Sequence, residues 1–206
     1  YIVAGNHDVD RDVDGRHDVI RKVFYDSERY YHPDNGIIEP EDLSVIMTGE
    51  KDFLSFLSKI YDADRLKLYG NPKMPHFNIE TEHFNILHVD TNLAYTSGQE
   101  HNDLFVGTKL LYDAVRTLNK NNPTILLSHY PVTSLMQGEK KVLSTMLQHN
   151  RVRLWLAGHE HDQVLQKVHY IYSLQAGVLR NEQDVRSSVL LGRYDPTTCA
   201  CFVNAH

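Results

Sequence analysis

Apolar positions along this chain recur at two spacings, and the switches between them mark alternating strands and helices. Residues 1–4 form a short apolar run that reads as a strand entering Gly5 directly. Ile20, Val23, Phe24 and Tyr31 fall on one face of a helical repeat and predict a helix. Phe53, Phe56, Leu57, Ile60 and Tyr61 predict another, with Thr48 before it as N-cap. Turn formers gather at 32–36 and 70–72. The stretch 10–75 is too long for a simple connection in a compact domain, so it is expected to be a helical insertion, a cap beside a substrate cleft.

Beyond it the pattern tightens. Residues 76–80 and 84–90 predict a strand pair turning at Thr81-Glu82, and Leu110, Leu111, Ala114, Val115 and Leu118 predict a helix stopped by Asn121-Asn122-Pro123. An apolar strand over 124–128 ends on His129, a helix covers 140–149, and a strand over 154–157 ends on Gly158-His159. Four more runs, 163–168, 170–174, 189–194 and 199–203, read as mostly antiparallel strands. The alternation defines an α/β chain, and without repeat or low-complexity linker it is expected to be one domain over 1–206.

Charge and composition narrow the function classes. With 41% hydrophobic and 23% charged residues the chain can build a core, and no apolar run reaches the ~18 residues that span a bilayer, so a soluble protein without a membrane partner is expected. A net charge of -6 disfavours a broad grip on long nucleic acid, which needs clustered Lys and Arg. Cys199 and Cys201 stand too close together for a usual zinc spacing and read as free thiols, which fits a cytoplasmic location. Asp10-Arg11-Asp12-Val13-Asp14-Gly15 opens like a calcium loop, but Arg21 falls where that loop requires a bidentate Glu, so the acidic run reads as a solvated loop.

Candidate chemistry lies in three segments, Gly5-Asn6-His7-Asp8, Ser128-His129-Tyr130-Pro131 and Gly158-His159-Glu160-His161-Asp162, each directly after an expected strand. Ligands of open α/β sheets bind outside the carboxyl ends of strands. Imidazole and amide oxygen together suit borderline divalent ions such as manganese, iron or zinc. Glycine beside two of the clusters lets backbone and side chains approach closely.

In this order the three segments resemble the last three motifs of the calcineurin-like metallophosphoesterase family. The resemblance implies a four-layer α/β/β/α sandwich and hydrolysis of a phosphomonoester or phosphodiester substrate at two divalent ions sharing a bridging hydroxide. By motif, Asn6, His129 and His159 resemble the ligands of one metal and His161 a ligand of the other. His7 resembles the catalytic histidine beside the leaving oxygen, and Asp8 a group supporting it or capping the loop. The family's Asp-x-His motif and its bridging Asp precede Gly-Asn-His-Asp, so the N-terminal strands that carry them are expected upstream of Tyr1, and an exposed sheet edge is expected to favour self-association. Asp90, at a strand end, is expected to serve a turn rather than to replace them. The alternative to an enzyme is a phosphoesterase-like scaffold that binds metal poorly or not at all.

Overall fold

The computed structural model describes residues 1–25, 38–96, 104–150, 152–161, 163–168, 171–176, 190–195 and 200–205. The expectations resting on Tyr31, on the turn 32–36, on Asp162 and on Cys199 lie outside these residues. A six-stranded mixed sheet organises the chain, in the order β1 (Phe77–Glu80), β2 (Asn85–His88), β3 (Thr124–Leu127), β4 (Val152–Ala157), β6 (Ile171–Gln175) and β5 (Val164–Val168). β1 and β5 run antiparallel to their neighbours, and β2, β3, β4 and β6 are mutually parallel. A separate antiparallel pair joins β7 (Leu190–Asp195) to β8 (Ala200–Ala205).

Two helices complete the parallel crossovers. α5 (Thr108–Val115) lies between β2 and β3, and α6 (Gln137–His149) between β3 and β4. Their apolar stripes, Leu111, Ala114 and Val115 on one and Leu143 and Leu147 on the other, bury against Leu87, Val89, Leu126, Val152 and Trp155. Each large aliphatic side chain so removed from water contributes about 1.5–3 kcal/mol, which is what fixes the register of the parallel strands.

The opposite face of β1 and β2 carries Phe77, Ile79, Ile86 and His88, as the two-residue period requires. Phe77, Ile79 and Ile86 pack with Ala4, Phe53, Leu57 and Tyr69. Within 10–75 the described residues include α1 (Arg16–Ile20), a π-turn (Arg21–Tyr25), α2 (Pro40–Ile46), a 3-10 turn (Met47–Glu50), α3 (Lys51–Leu57) and α4 (Ala63–Tyr69), together with non-helical segments. α1 and α2 bury Ile20, Leu43 and Ile46 in a cluster with Leu93, Ala94 and Phe105, so these helices share a core with the loop that follows β2.

Three local expectations are corrected. Residues 1–4 join no ladder among the described residues; Ile2 N–H donates to the Tyr69 hydroxyl at 3.2 Å, and the Asn92 amide donates to the Ala4 carbonyl. Thr48 does not cap α3, because its hydroxyl turns back to the Val45 carbonyl at 2.6 Å. α3 stops at Leu57, where the Ser58 hydroxyl donates to the Ser55 carbonyl at 2.7 Å and the following amides close a turn that leaves Ile60 exposed.

Candidate metal centre

β3 and β4 are parallel neighbours, so their carboxyl ends lie side by side and deliver His129 and His159 to the same edge of the sheet. The ladder continues past both strands: Ser128 N–H donates to Leu156 O at 3.1 Å and Gly158 N–H to His129 O at 2.9 Å. Ser128 anchors the turn beyond β3. Its hydroxyl donates to the Tyr130 carbonyl at 2.7 Å and accepts from the buried Trp155 indole N–H at 2.7 Å. The buried Tyr130 ring then lies 4.1 Å from the His159 ring, centroid to centroid.

The third segment arrives from residues 1–8. Gly5-Asn6-His7-Asp8 forms a closed turn, with Asp8 N–H donating to Gly5 O at 3.0 Å and the Asp8 carboxylate accepting from Gly5 N–H at 2.8 Å. Asp8 therefore caps the loop. Position 5 is tight, because a Cβ there would stand 3.1 Å from His129 Cε1 and 3.3 Å from its Nδ1. Gly5→Ala is expected to displace the His129 ring by a few tenths of an ångström. The check is a change in His129 ring-proton shifts by NMR with an unchanged far-ultraviolet circular dichroism spectrum.

That turn sets Asn6 Oδ1 3.0 Å from His129 Nε2. The His129 and His159 rings are 5.3 Å apart at 74°. Burial, and next the neighbouring His159, push the His129 imidazole down to about 4, against the pull of Asp8, with His7 and His161 pushing the same way. His129 is thus neutral near pH 7, the form that can bind a metal. His7, Asp8 and His161 are exposed, while Asn6, His129 and His159 are half-buried.

The backbone is strained at this edge: His159 and His161 both have positive φ, 75° and 60°. Such residues cost of order 1–3 kcal/mol each and persist where the surroundings over-determine them. Here the Gly158 tie to His129 and the Glu160 N–H donation to Gly158 O at 3.0 Å set the turn.

A divalent ion can be tested against these donors. At bonds of about 2.1 Å, two adjacent ligands of an octahedral ion stand about 3.0 Å apart. The separation of Asn6 Oδ1 from His129 Nε2 is 3.0 Å, so this pair fits when the imidazole proton sits on Nδ1 and the Nε2 lone pair is free. The set is two imidazoles and one amide; among the described residues no three His, Cys, Asp or Glu side chains form a group that could hold a metal.

Sequence reasoning found the ligand candidates and missed what holds them. Tyr95 and Tyr130, whose rings lie 5.8 Å apart, gave no periodic signal. Nor did Arg16, fully buried and donating to the carbonyls of Ile46 at 2.8 Å and Tyr95 at 2.6 Å. Beside it lie the buried Glu50 and Asp90; Asp90 serves the expected turn, its Oδ1 accepting Asn92 N–H at 2.8 Å.

The imidazoles of His129 and His159 and the amide of Asn6 gather outside the carboxyl ends of parallel strands in a mixed α/β sheet. The chain belongs to the calcineurin-like phosphoesterase family, whose pattern matches residues 1–163. It is 24% identical over 170 residues to an uncharacterized metallophosphoesterase-like protein, YydB, of Bacillus subtilis (strain 168). That match covers 79% of this chain and 33% of YydB, so the chain spans about a third of the relative's length. Two solved structures align more distantly. One is GAP50, the anchor in the inner membrane complex of Plasmodium, at 10% identity over 54% of this chain and 40% of that one, TM-score 0.31. The other is a putative 5'-nucleotidase from Staphylococcus aureus in complex with alpha-ketoglutarate, at 12% identity over 63% of this chain and 28% of that one, TM-score 0.35. Among the described residues no helix is long and apolar enough to cross a membrane.

Proposed function

We propose that these residues belong to a hydrolytic centre that cleaves a phosphoester with the help of divalent metal. The observation that supports this most directly is the neutral His129 imidazole with Asn6 Oδ1 at 3.0 Å and the His159 ring beside it, three groups from separate parts of the chain. Asn6, His129 and His159 would hold one ion and His161 would serve a second. When bound, such ions activate water and offset charge building on the phosphoryl oxygens.

The remaining work falls to the chain itself. Asn6 presents its amide oxygen, and its NH2 group stays available to orient a phosphoryl oxygen. His7, exposed on the same turn, would give a proton to the leaving oxygen. Asp8 holds the turn closed and draws positive charge toward the cluster. Tyr130 packs under His159 and keeps its ring at the edge of the sheet. The helices of 10–75 are proposed to form one wall of the substrate cleft.

The test is elemental analysis of the chain after loading with manganese and dialysis, beside His129→Ala and His159→Ala. The expected result is at least one tightly held ion per chain, lost in both variants. Near-zero manganese in the unsubstituted chain would favour the scaffold reading, because the two imidazoles and the amide would then not suffice to retain an ion.

A further inference from the structure

The acidic run after the Gly5–Asp8 turn contains one cation whose role nothing above assigns. In sequence Arg11 lies among Asp8, Asp10, Asp12, Asp14 and Asp18, and within residues 1–20 the other Arg or Lys is Arg16, whose donors are already given to buried carbonyls. Arg11 forms no ion pair with these aspartates. Asp8 is engaged by Gly5 N–H, and Asp10 Oδ1 accepts Asp12 N–H at 3.0 Å. Arg11 instead lays its guanidinium over the Tyr95 ring, 5.1 Å from the centroid.

Both sides of that stack are held in place. Asp10 N–H donates to Gly49 O at 2.8 Å, which fixes the backbone on one side of Arg11. Tyr95 N–H donates to Asn92 O at 2.9 Å, and Tyr95 O accepts from the buried Arg16 at 2.6 Å. The Tyr95 ring meets Tyr130 at 5.8 Å, and Tyr130 meets His159 at 4.1 Å. Arg11 is therefore joined to the candidate metal centre by two packed rings, and stands one ring further out than Tyr130.

Stacking occupies one face of a guanidinium and leaves its planar edge of N–H donors free to take a carboxylate or phosphate in a forked pair. We propose that Arg11 determines substrate specificity: it takes a second anionic group of the substrate while the phosphoryl group to be cleaved lies at Asn6, His129 and His159. This rests on the hydrolase reading above. Within residues 1–20 Arg11 is the cation whose donors are not given to buried carbonyls, and its charge would offset part of the repulsion between a doubly anionic ligand and the aspartates of this segment. The substrate class is a phosphoester with a further carboxylate or phosphate on its organic portion.

The experiment uses matched phosphonates that cannot be hydrolysed, titrated calorimetrically into the manganese-loaded chain: phenylphosphonate and its 3- and 4-carboxy derivatives. In the unsubstituted protein one carboxylated ligand is expected to bind at least ~10-fold more tightly than phenylphosphonate, the scale of one charge-assisted pair. Arg11→Gln should bring that ratio to about 1 with phenylphosphonate affinity held within ~3-fold, and Arg11→Lys should retain part of it. A side chain that only propped Tyr95 would weaken all three ligands alike and lower thermal stability. That result overturns the proposal, as does a ratio near 1 in the unsubstituted protein or an unchanged ratio in Arg11→Gln. His159→Ala separates the two readings: it should weaken all three ligands. If it leaves them unchanged while Arg11→Gln still erases the preference, the hydrolase reading fails and the Arg11 site stands.

Discussion

Arg16→Met is expected to lower the unfolding free energy by about 3–5 kcal/mol, a large part of the 5–15 kcal/mol typical of a domain. The Arg16 side chain is 1% exposed. Its Nε donates to Ile46 O at 2.8 Å, one Nη to Tyr95 O at 2.6 Å, and the other to Asn92 O and Leu93 O at 3.4 Å each. Burial lowers its pKa and is opposed by Asp90, Glu50 and Asp10, yet a guanidinium remains charged. Methionine keeps much of the volume but strands those carbonyls and leaves the Asp90 carboxylate without its cation. Gly49 belongs to the same unit: a Cβ there would stand 2.6 Å from Arg16 Nε and 2.8 Å from Asp10 O.

Glu50 sharpens this expectation. Burial, and then the neighbouring Asp90, hold its carboxyl well above the usual range, so it is expected to keep its proton in the folded chain. Its proton is then the natural donor for Asp90 Oδ2, which no ordinary hydrogen-bond donor reaches. Glu50→Gln should therefore cost far less than Arg16→Met. Urea unfolding of both variants, followed by circular dichroism, is the measurement; equal losses would mean that Glu50 is ionised.

Acidification should remove about 3 kcal/mol through His88 alone, with a smaller contribution from the half-buried His129. Burial, then the nearby His76, push the buried His88 imidazole down to about 3, against a weaker pull from the Ile2 backbone. The unfolded imidazole binds a proton below about pH 6.5, whereas the folded one does not until near its lowered value. Between these limits the unfolded state carries more protons, so stability falls as pH falls from about 6.5 toward 4. Glu50 acts in the opposite sense: its raised pKa takes stability away as pH rises above the ordinary carboxylate range. His88→Phe, which keeps a ring stacked at the 4.3 Å distance from Phe77, should flatten the acid limb by about 1.4 kcal/mol per pH unit. An unchanged slope would place the acid sensitivity elsewhere.

The elements that the sequence showed clearly were those with one dominant cause. β3 and β4 are short apolar runs closed by turn residues, and their ends bring His129 and His159 together because parallel neighbours end at one edge. The run 1–4 has the same apolar character but lacks a ladder, since strand formation depends on a partner that local pattern does not reveal. α4 was missed although Asp62 caps it, accepting Arg65 N–H at 2.8 Å; one cap before only seven helical residues is a weak signal. The union of Arg16, Glu50 and Asp90 could not be read at all, because a buried charge cluster leaves no periodic trace in any of its segments. Similarly, the stack of Arg11 on Tyr95 joins two loop positions far apart in sequence, which no local pattern links.

The hydrogen bond between Asn6 and His129 joins positions 123 apart in sequence. Closing a loop of that size opposes the contact by about 4 kcal/mol in chain entropy before any constant is added. Local turns cannot meet that demand, so the amide and the imidazole meet only after the strands between them have paired. Any ion held by the proposed pair would meet both donors together only in the folded chain.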